Sequence, residues 1–313
     1  MFAVETENIS KIYKGAFGNK QIHALSDMSL SVEQGSFFGL LGPNGAGKTT
    51  IIKILLGITN PSGGSAKVLG QDISNYKLKK KVGFLPENHR FPPYLTGEQV
   101  LKFFGGFSDM SQPELKKRID YLLDLTKMND RRKYKVKTYS KGMMQRIGLA
   151  QAMVNDPDLI FLDEPTDGVD PIGRKEIRDM LLNLKDQGKT IFLNSHLLSE
   201  VELVADRVAI IDKGKIIKEG TVKELTETEK EYKITFAGHI SDSFCNSELT
   251  SQRIDNIHTD YFTLKAEDDD RLNAVIDAMR SEGLLIQGIV PIKTSLEDSF
   301  IRLINTKNGG VSQ

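Results

Sequence analysis

The chain has almost no cysteine, no net charge and no long apolar run. Cys245 is the single cysteine among 313 residues, so no disulfide can form within the chain. That suits a reducing compartment, and we expect a cytoplasmic protein. Lysine plus arginine number 42 and aspartate plus glutamate number 42, for a formal charge of +0. The balance removes any global electrostatic argument for nucleic acid or an anionic membrane surface and leaves only local patches. No stretch approaches the roughly 18 apolar residues of a membrane span, and Met1 is followed by acidic positions where a leader would carry basic ones. The chain is expected to be soluble and unprocessed, reaching a membrane only by docking onto another subunit. It has no internal repeat and no extended low-complexity tract.

What is present is an alternation of strand and helix patterns over a length that suits two domains. Val4, and then Met28, Leu30 and Val32 spaced by two, predict half-buried antiparallel strands. Phe37 to Leu41 is a continuous apolar run, followed by a glycine-rich loop and a helical pattern over 50–56. Apolar spacings of three and four over 95–125 predict a helical insertion. Strand-like runs return at 159–162, 190–193 and 208–211, separated by helical patterns at 175–184 and 198–205, which together imply a parallel sheet covered on both faces.

After Gly220 the charged stretch TVKELTETEKEYK reads as a boundary helix and linker. A second small α/β domain follows. It has a strand at 261–264, a helix with Leu272, Val275, Ile276 and Met279 on one face behind Asp268, Asp269 and Asp270, and a strand at 284–290. A final helix SLEDSFIRLI follows, with Thr294 and Glu297 at capping-box spacing.

Two stretches carry recognisable chemistry. GPNGAGKTT, comprising Gly42, Pro43, Asn44, Gly45, Ala46, Gly47, Lys48, Thr49 and Thr50, fits G-x-x-x-x-G-K-[ST] between a buried strand and a helix. Glycines let backbone N–H groups curl around a polyphosphate, the helix N-terminus adds positive potential, Lys48 reaches the outer phosphates and Thr49 can ligate Mg²⁺. DLIFLDEP is an apolar strand that stops on two carboxylates. Asp163 is placed to hold Mg²⁺ and Glu164 to polarise a hydrolytic water. The plain alternatives are a chance glycine-rich turn and acidic residues that merely end a strand.

These motifs, followed by DGVD at Asp167 to Asp170 and by His196 after TIFLNS, stand in the order found in ATP-binding cassette (ABC) proteins, and YSKGMMQR occupies the position of that family's signature. The chain resembles the family over about residues 1–220. The resemblance implies an α/β fold: a P-loop NTPase (RecA-like) core with an antiparallel β subdomain and a helical subdomain at about 88–150, forming an ATP-binding domain over 1–222. Residues 223–313 would be a small accessory or regulatory α/β domain.

In such cassettes two copies pair head to tail around ATP. By that resemblance Ser140, Lys141, Gly142 and Met143 would meet the nucleotide held by Lys48 of the facing subunit, and His196 would contact the γ-phosphate beside Glu164. Asp170 would lie at the dimer seam, with an N-cap for the helix beginning near Pro171 as its structural alternative. Tyr13 would stack on adenine, with Phe17 as substitute and a core aromatic as the plain alternative. Glu87 stands where the family usually has glutamine; it keeps an oxygen for Mg²⁺ and loses the amide donors. Lys141 replaces a glycine, and the expectation is that its charge strengthens ATP-dependent closure.

The form LLGPNGAGKTT, the PEN loop, YSKGM and SLEDSFIRL are similar to the ABC-2 type exporter branch, which includes bacterial drug-resistance ATPases. That similarity implies a subunit on the inner face of the cell membrane gripping a separate transmembrane permease through Glu87, Asn88 and the helical insertion, with Phe91, Tyr94 and Leu95 as apolar candidates near the contact and packing inside the insertion as their plain alternative. Two other readings are weighed. A soluble cassette acting on ribosomes or DNA would commonly carry two cassettes or a long coiled coil, and neither is seen. A small-molecule P-loop kinase leaves YSKGM, Asp170 and His196 without roles. The basic runs KLKKK and RRKYKVK lack a base-stacking platform, so nucleic acid is not an expected partner.

Overall fold

The computed structural model describes residues 1–14, 21–226, 230–241, 244, 254–266, 268–292 and 295–301. Cys245, Phe17 and Thr294 fall outside them. The chain divides into two compact units, Met1–Val222 and Lys223–Gln313.

In the first unit, β1 (Phe2–Lys14) and β2 (Gln21–Glu33) pair antiparallel, with β4 (Gly63–Val68) and β5 (Gln71–Asp72) completing the order β2-β1-β4-β5. Val4 and Thr6 of β1 and Met28, Leu30 and Val32 of β2 bury one face by period-two alternation, and an irregularity between Thr6 and Ile9 returns Ile9 to it. The second sheet has the order β10-β9-β3-β8-β7-β6, from β3 (Phe37–Leu41), β6 (Val82–Leu85), β7 (Leu159–Asp163), β8 (Thr190–Ser195), β9 (Arg207–Asp212) and β10 (Lys215–Thr221). The central strands β3, β7 and β8 are buried along their whole length; their apolar runs, Phe37–Leu41, 159–162 and 191–193, follow from that, and polar residues enter at the strand ends. All its pairings are parallel except that of the edge strand β10 with β9. Parallel neighbours end on one side, so residues following β3, β6, β7 and β8 emerge together there.

Helix α1 (Lys48–Leu55) buries Ile51, Ile52, Ile54 and Leu55 in a core shared by the two sheets. Each such side chain contributes about 1.5–3 kcal/mol when fully removed from water. α2 (Gly97–Gly105) and α3 (Gln112–Leu125) both begin with capping boxes, Thr96 with Gln99 and Ser111 with Glu114. α4 (Lys141–Ala152) follows, then α5 (Pro171–Asp186) and α6 (Leu198–Glu202); α7 (Val222–Thr226) lies in the second unit except for Val222. α1 starts two residues earlier than its apolar pattern, because the loop glycines lead directly into it, and α6 stops three residues short of the expected 205.

The second unit holds β11 (Lys230–Ala237), β12 (Ile254–Asp255), β13 (Tyr261–Ala266), α8 (Asp269–Ser281), β14 (Leu285–Ile292) and a helix at 296–301. Its antiparallel order is β12-β13-β11-β14, and Val275 and Met279 of α8 join Ile234, Phe236, Phe262 and Leu264 in one core. Asp268 caps α8, accepting the Arg271 N–H at 2.8 Å.

Two sequence expectations are corrected here. Residues 230–233, read as the end of a charged linker, belong to β11, where Tyr232, Ile234 and Phe236 alternate with Glu231, Lys233 and Thr235; the charges mark a polar strand face. The last helix is boxed by Ser295 and Asp298, one residue away from the expected Thr294 and Glu297. Ser295 Oγ accepts the Asp298 N–H at 3.1 Å and Asp298 Oδ2 accepts the Ser295 N–H at 3.1 Å.

Candidate functional site

β3 runs out at Leu41 and the chain curls through residues 42–47 into α1. Gly47, at φ 110, is the N-cap of α1 and supplies no side-chain hydrogen bond, so the first amides of the helix point onward without a protein cap. No acidic residue lies in the first turn. These are the conditions under which a helix N-terminus receives an anion. Residues 44–50 form one wall of a cavity of about 660 Å³, whose other walls include Ile22, His23, Ala24, Glu87, Asp163, Glu164, Asp167, Asn194 and His196. Lys48 is buried, and Nζ donates to the carbonyls of Gly42 at 2.7 Å and Pro43 at 3.2 Å. Burial pushes its ammonium below the ordinary lysine range, while Glu164, Asp163 and Glu87 pull the other way.

β7 delivers two carboxylates with different surroundings. Thr49 Oγ1 donates to Asp163 Oδ2 at 3.3 Å, and the Asn194 amide donates to Asp163 Oδ1. Burial nonetheless raises the Asp163 carboxyl above its ordinary range; the two hydrogen bonds oppose the rise and the nearby Glu87 and Glu164 add to it. Glu164 takes a left-handed backbone conformation at φ 53, a strain of about 1–2 kcal/mol for a residue with a Cβ. Three contacts hold it there. Its N–H donates to Asn194 O at 2.9 Å, its carbonyl accepts from Gln145 Nε2 at 2.9 Å, and Oε2 accepts from Ser195 Oγ at 3.3 Å. His196 Nδ1 lies 2.8 Å from the same Oε2, so imidazole and carboxylate act as a pair at the cavity wall.

Among the described residues no group of three or more His, Cys, Asp or Glu side chains is placed to hold a metal ion unaided. Mg²⁺ needs no such cage, since it takes one or two protein oxygens and fills its octahedron with phosphate and water. The adjacent hydroxyl of Thr49 and carboxylate of Asp163 fit that demand.

The structure brings Asn44, Gly45, Ala46, Gly47, Lys48, Thr49, Thr50, Glu87, Asp163, Glu164 and His196 into the cavity. Tyr13 is not among its lining residues. It pairs across the strands with Ile22, which does line the cavity, so Tyr13 stands beside the rim with Lys11 Nζ 5.0 Å from its ring centroid. Gly42 and Pro43 are behind the wall as the carbonyl partners of Lys48.

Ser140, Lys141, Gly142, Met143 and Asp170 also fall outside the lining. Ser140 is the N-cap of α4, with Oγ accepting the Met143 N–H at 3.3 Å. Asp170 is the N-cap of α5, accepting the Gly173 N–H at 3.2 Å. Lys141 is bound within its own chain: Nζ lies 2.7 Å from Asp167 Oδ2. Both side chains of that pair are exposed, at 61% and 47%, so the contact is a weak surface pair that leaves Lys141 able to face a second copy.

Sequence reading overlooked Asn194, Gln145 and the cavity position of Asp167. The first two had a signal: each is a buried amide in an otherwise apolar face, Asn194 in TIFLNS and Gln145 on α4, and such groups are kept only where they find partners.

The profile of the ABC transporter family matches residues 25–167. An uncharacterized ABC transporter ATP-binding protein of Synechocystis sp. is 39% identical over 313 residues, covering 99% of this chain and 87% of that one. A daunorubicin/doxorubicin resistance ATP-binding protein of Streptomyces peucetius is 33% identical over 310 residues, covering 96% of this chain and 92% of its own. Among solved structures, a dimeric ATP-binding cassette in a post-hydrolysis state with ADP and Pi superposes with a TM-score of 0.64 at 26% identity, over 70% of this chain and 98% of that one.

Proposed function

Because the chain belongs to the ATP-binding subunits of ABC transporters, a family of ATP hydrolases, we propose that it powers export through a separate membrane permease by ATP-dependent, head-to-tail closure of two copies. One observation carries this reading. The cavity holds the phosphate loop, both carboxylates and His196, while Ser140 and the first turn of α4 stand outside it and contribute nothing to it within one chain. A second copy presenting α4 to the phosphates would give those amides an anion, and two equivalent sites would form at once.

In this mechanism Lys48 exchanges the neutral carbonyls of Gly42 and Pro43 for phosphate oxygens, which compensates the burial of its charge. Mg²⁺, held by Thr49 and Asp163 with Glu87 on the same wall, would supply positive charge to the phosphates. Glu164 orients the attacking water and takes its proton, while His196 fixes the carboxylate that does so. The energy of binding ATP across the seam drives closure, and hydrolysis removes the charge that both copies hold. Tyr13 and Ile22 offer the base an apolar edge.

Export is supported by the kinship with a drug-resistance ATP-binding protein. Among the described residues no helix is long and apolar enough to cross a membrane, and in this reading the path for cargo is the partner's. The chain would then sit on the inner face of the membrane through that partner, with the exposed Tyr94 and the partly exposed Leu95 near the contact, while Phe91 is buried inside the insertion. Affinity purification of the full chain from detergent extracts tests this: a polytopic membrane protein should copurify. Recovery of ribosomes or DNA-bound assemblies in its place would overturn the transport reading.

A further inference from the structure

One side chain joins the loop that carries Glu87 to the helix that begins at Ser140. The loop leaves β6 at Leu85, and His89 turns back from it against α4. His89 Nδ1 lies 3.2 Å from the Pro86 carbonyl oxygen, and Nε2 lies 3.0 Å from the Met144 carbonyl oxygen. A neutral ring donates to only one of these carbonyls; in the Nε2–H tautomer that is the nearer Met144, whose carbonyl has a second lone pair beyond the one used inside the helix. The ring also packs on Phe91 at 5.6 Å between centroids, and Phe91 packs edge-on against Phe104 of α2 at 5.8 Å.

The fit depends on Gly148. A Cβ there would lie 2.6 Å from His89 Nε2 and 2.6 Å from Leu85 Cδ1. The missing side chain on α4 is thus the space the imidazole occupies. His89 does not line the nucleotide cavity, whereas Glu87, two residues earlier, does. At the other end of the contact, Met144 follows Ser140, the N-cap of α4, by one helical turn.

We propose that His89 is a positioning residue that couples the two half-sites of one chain. It fixes the start of α4 against the Glu87 loop, so that nucleotide in a chain's own cavity sets how Ser140 to Met143 are presented to the partner's nucleotide. The proposal rests on the head-to-tail reading above. Loss of one neutral hydrogen bond and its packing weakens a conformational coupling by about threefold to tenfold. It leaves binding of ATP to a single chain untouched, because the ring does not reach the cavity.

The test uses the full chain carrying Glu164→Gln, in which ATP is held and not consumed. Two curves are measured: ATP affinity at protein concentrations where the chain is monomeric, and the ATP concentration for half-maximal dimerisation by light scattering. Added His89→Ala or Gly148→Ala should shift the second curve by about threefold to tenfold toward higher ATP and leave the first in place. The pair together should do clearly less than the sum of the two, since both remove the His89 contact and only the crowding of Leu85 by the Gly148→Ala Cβ is added. His89→Gln, which can return a donor to Met144, should restore most of the dimerisation. Unshifted dimerisation, an additive double variant, or an equal loss of monomer affinity would overturn the proposal. If Glu164→Gln fails to dimerise with His89 intact, the head-to-tail reading itself falls, and the coupling falls with it.

Discussion

Replacing Gly47 by alanine separates two costs that the phosphate loop imposes. Gly47 has φ 110, and a Cβ there would stand 2.6 Å from the Ala24 carbonyl oxygen and 2.8 Å from Leu25 Cδ2. Gly45 has φ 80, and nothing lies within 4 Å of its Cβ position. Both variants bear the backbone cost of an L residue in that region, about 1–3 kcal/mol. Only Gly47→Ala adds the cost of crowding a strand carbonyl that cannot swing aside, about 1–3 kcal/mol. The difference corresponds to a lower Tm by about 2–12 °C, at 2–4 °C per kcal/mol for a unit of this size. Thermal unfolding without nucleotide measures it, and ATP titration of the same samples follows the cavity, whose wall includes Ala24. Gly45→Ala should keep measurable ATP binding and Gly47→Ala should not. A Gly47→Ala protein that melts with or above Gly45→Ala and binds ATP equally well would refute the steric account of the loop.

Two further outcomes follow from charges at the cavity. Burial raises the Asp163 carboxyl, so the folded state holds that proton more tightly than the unfolded chain does. The stability it contributes is present below the ordinary carboxylate range and is lost as pH rises through the folded value, leaving a cost at pH 7. Asp163→Asn should therefore raise the nucleotide-free Tm at pH 7, with the gain fading below about pH 4, and should abolish ATP turnover; a lower Tm at pH 7 counts against this. Lys141→Gly removes a half-exposed ion pair worth about 0–1 kcal/mol, so its Tm should barely move. The unpaired Asp167 should then weaken ATP binding at low salt, an effect erased by high salt or by adding Asp167→Asn; weaker binding that persists with Asp167→Asn would contradict the pairing.

The parts of the site that were legible in the sequence are those in which chemistry and local backbone coincide. A loop that wraps phosphate needs glycines, a lysine and a hydroxyl in one contiguous string, and a buried central strand must be apolar until it ends on Asp163. The parts that were not legible join distant positions. Asp167 lies 26 residues from Lys141, and Gln145 lies 19 residues from the Glu164 carbonyl it supports. Only the packing of α4 against the end of β7 brings these groups together. Lys141 stands out in the sequence as a departure from the family pattern, but its surface ion pair with Asp167 could not be read from its sign alone. In the second unit, charge density along 230–233 concealed a strand whose period-two pattern was present all the same, because an exposed strand face tolerates the same residues as a linker. The final cap moved by one residue because Ser295 with Asp298 satisfies the same reciprocal geometry as threonine with glutamate.

The central claim is that the ATP site is completed by a second copy of the chain. The direct measurement is the molar mass in solution of the Glu164→Gln protein, with ATP and Mg²⁺, with ADP, and without nucleotide. The account predicts a monomer of 34.9 kDa in the last two conditions and a dimer with ATP. It also predicts that wild-type turnover falls steeply on dilution below the dimerisation range. A monomer at saturating ATP, or a dimer indifferent to nucleotide, would contradict it.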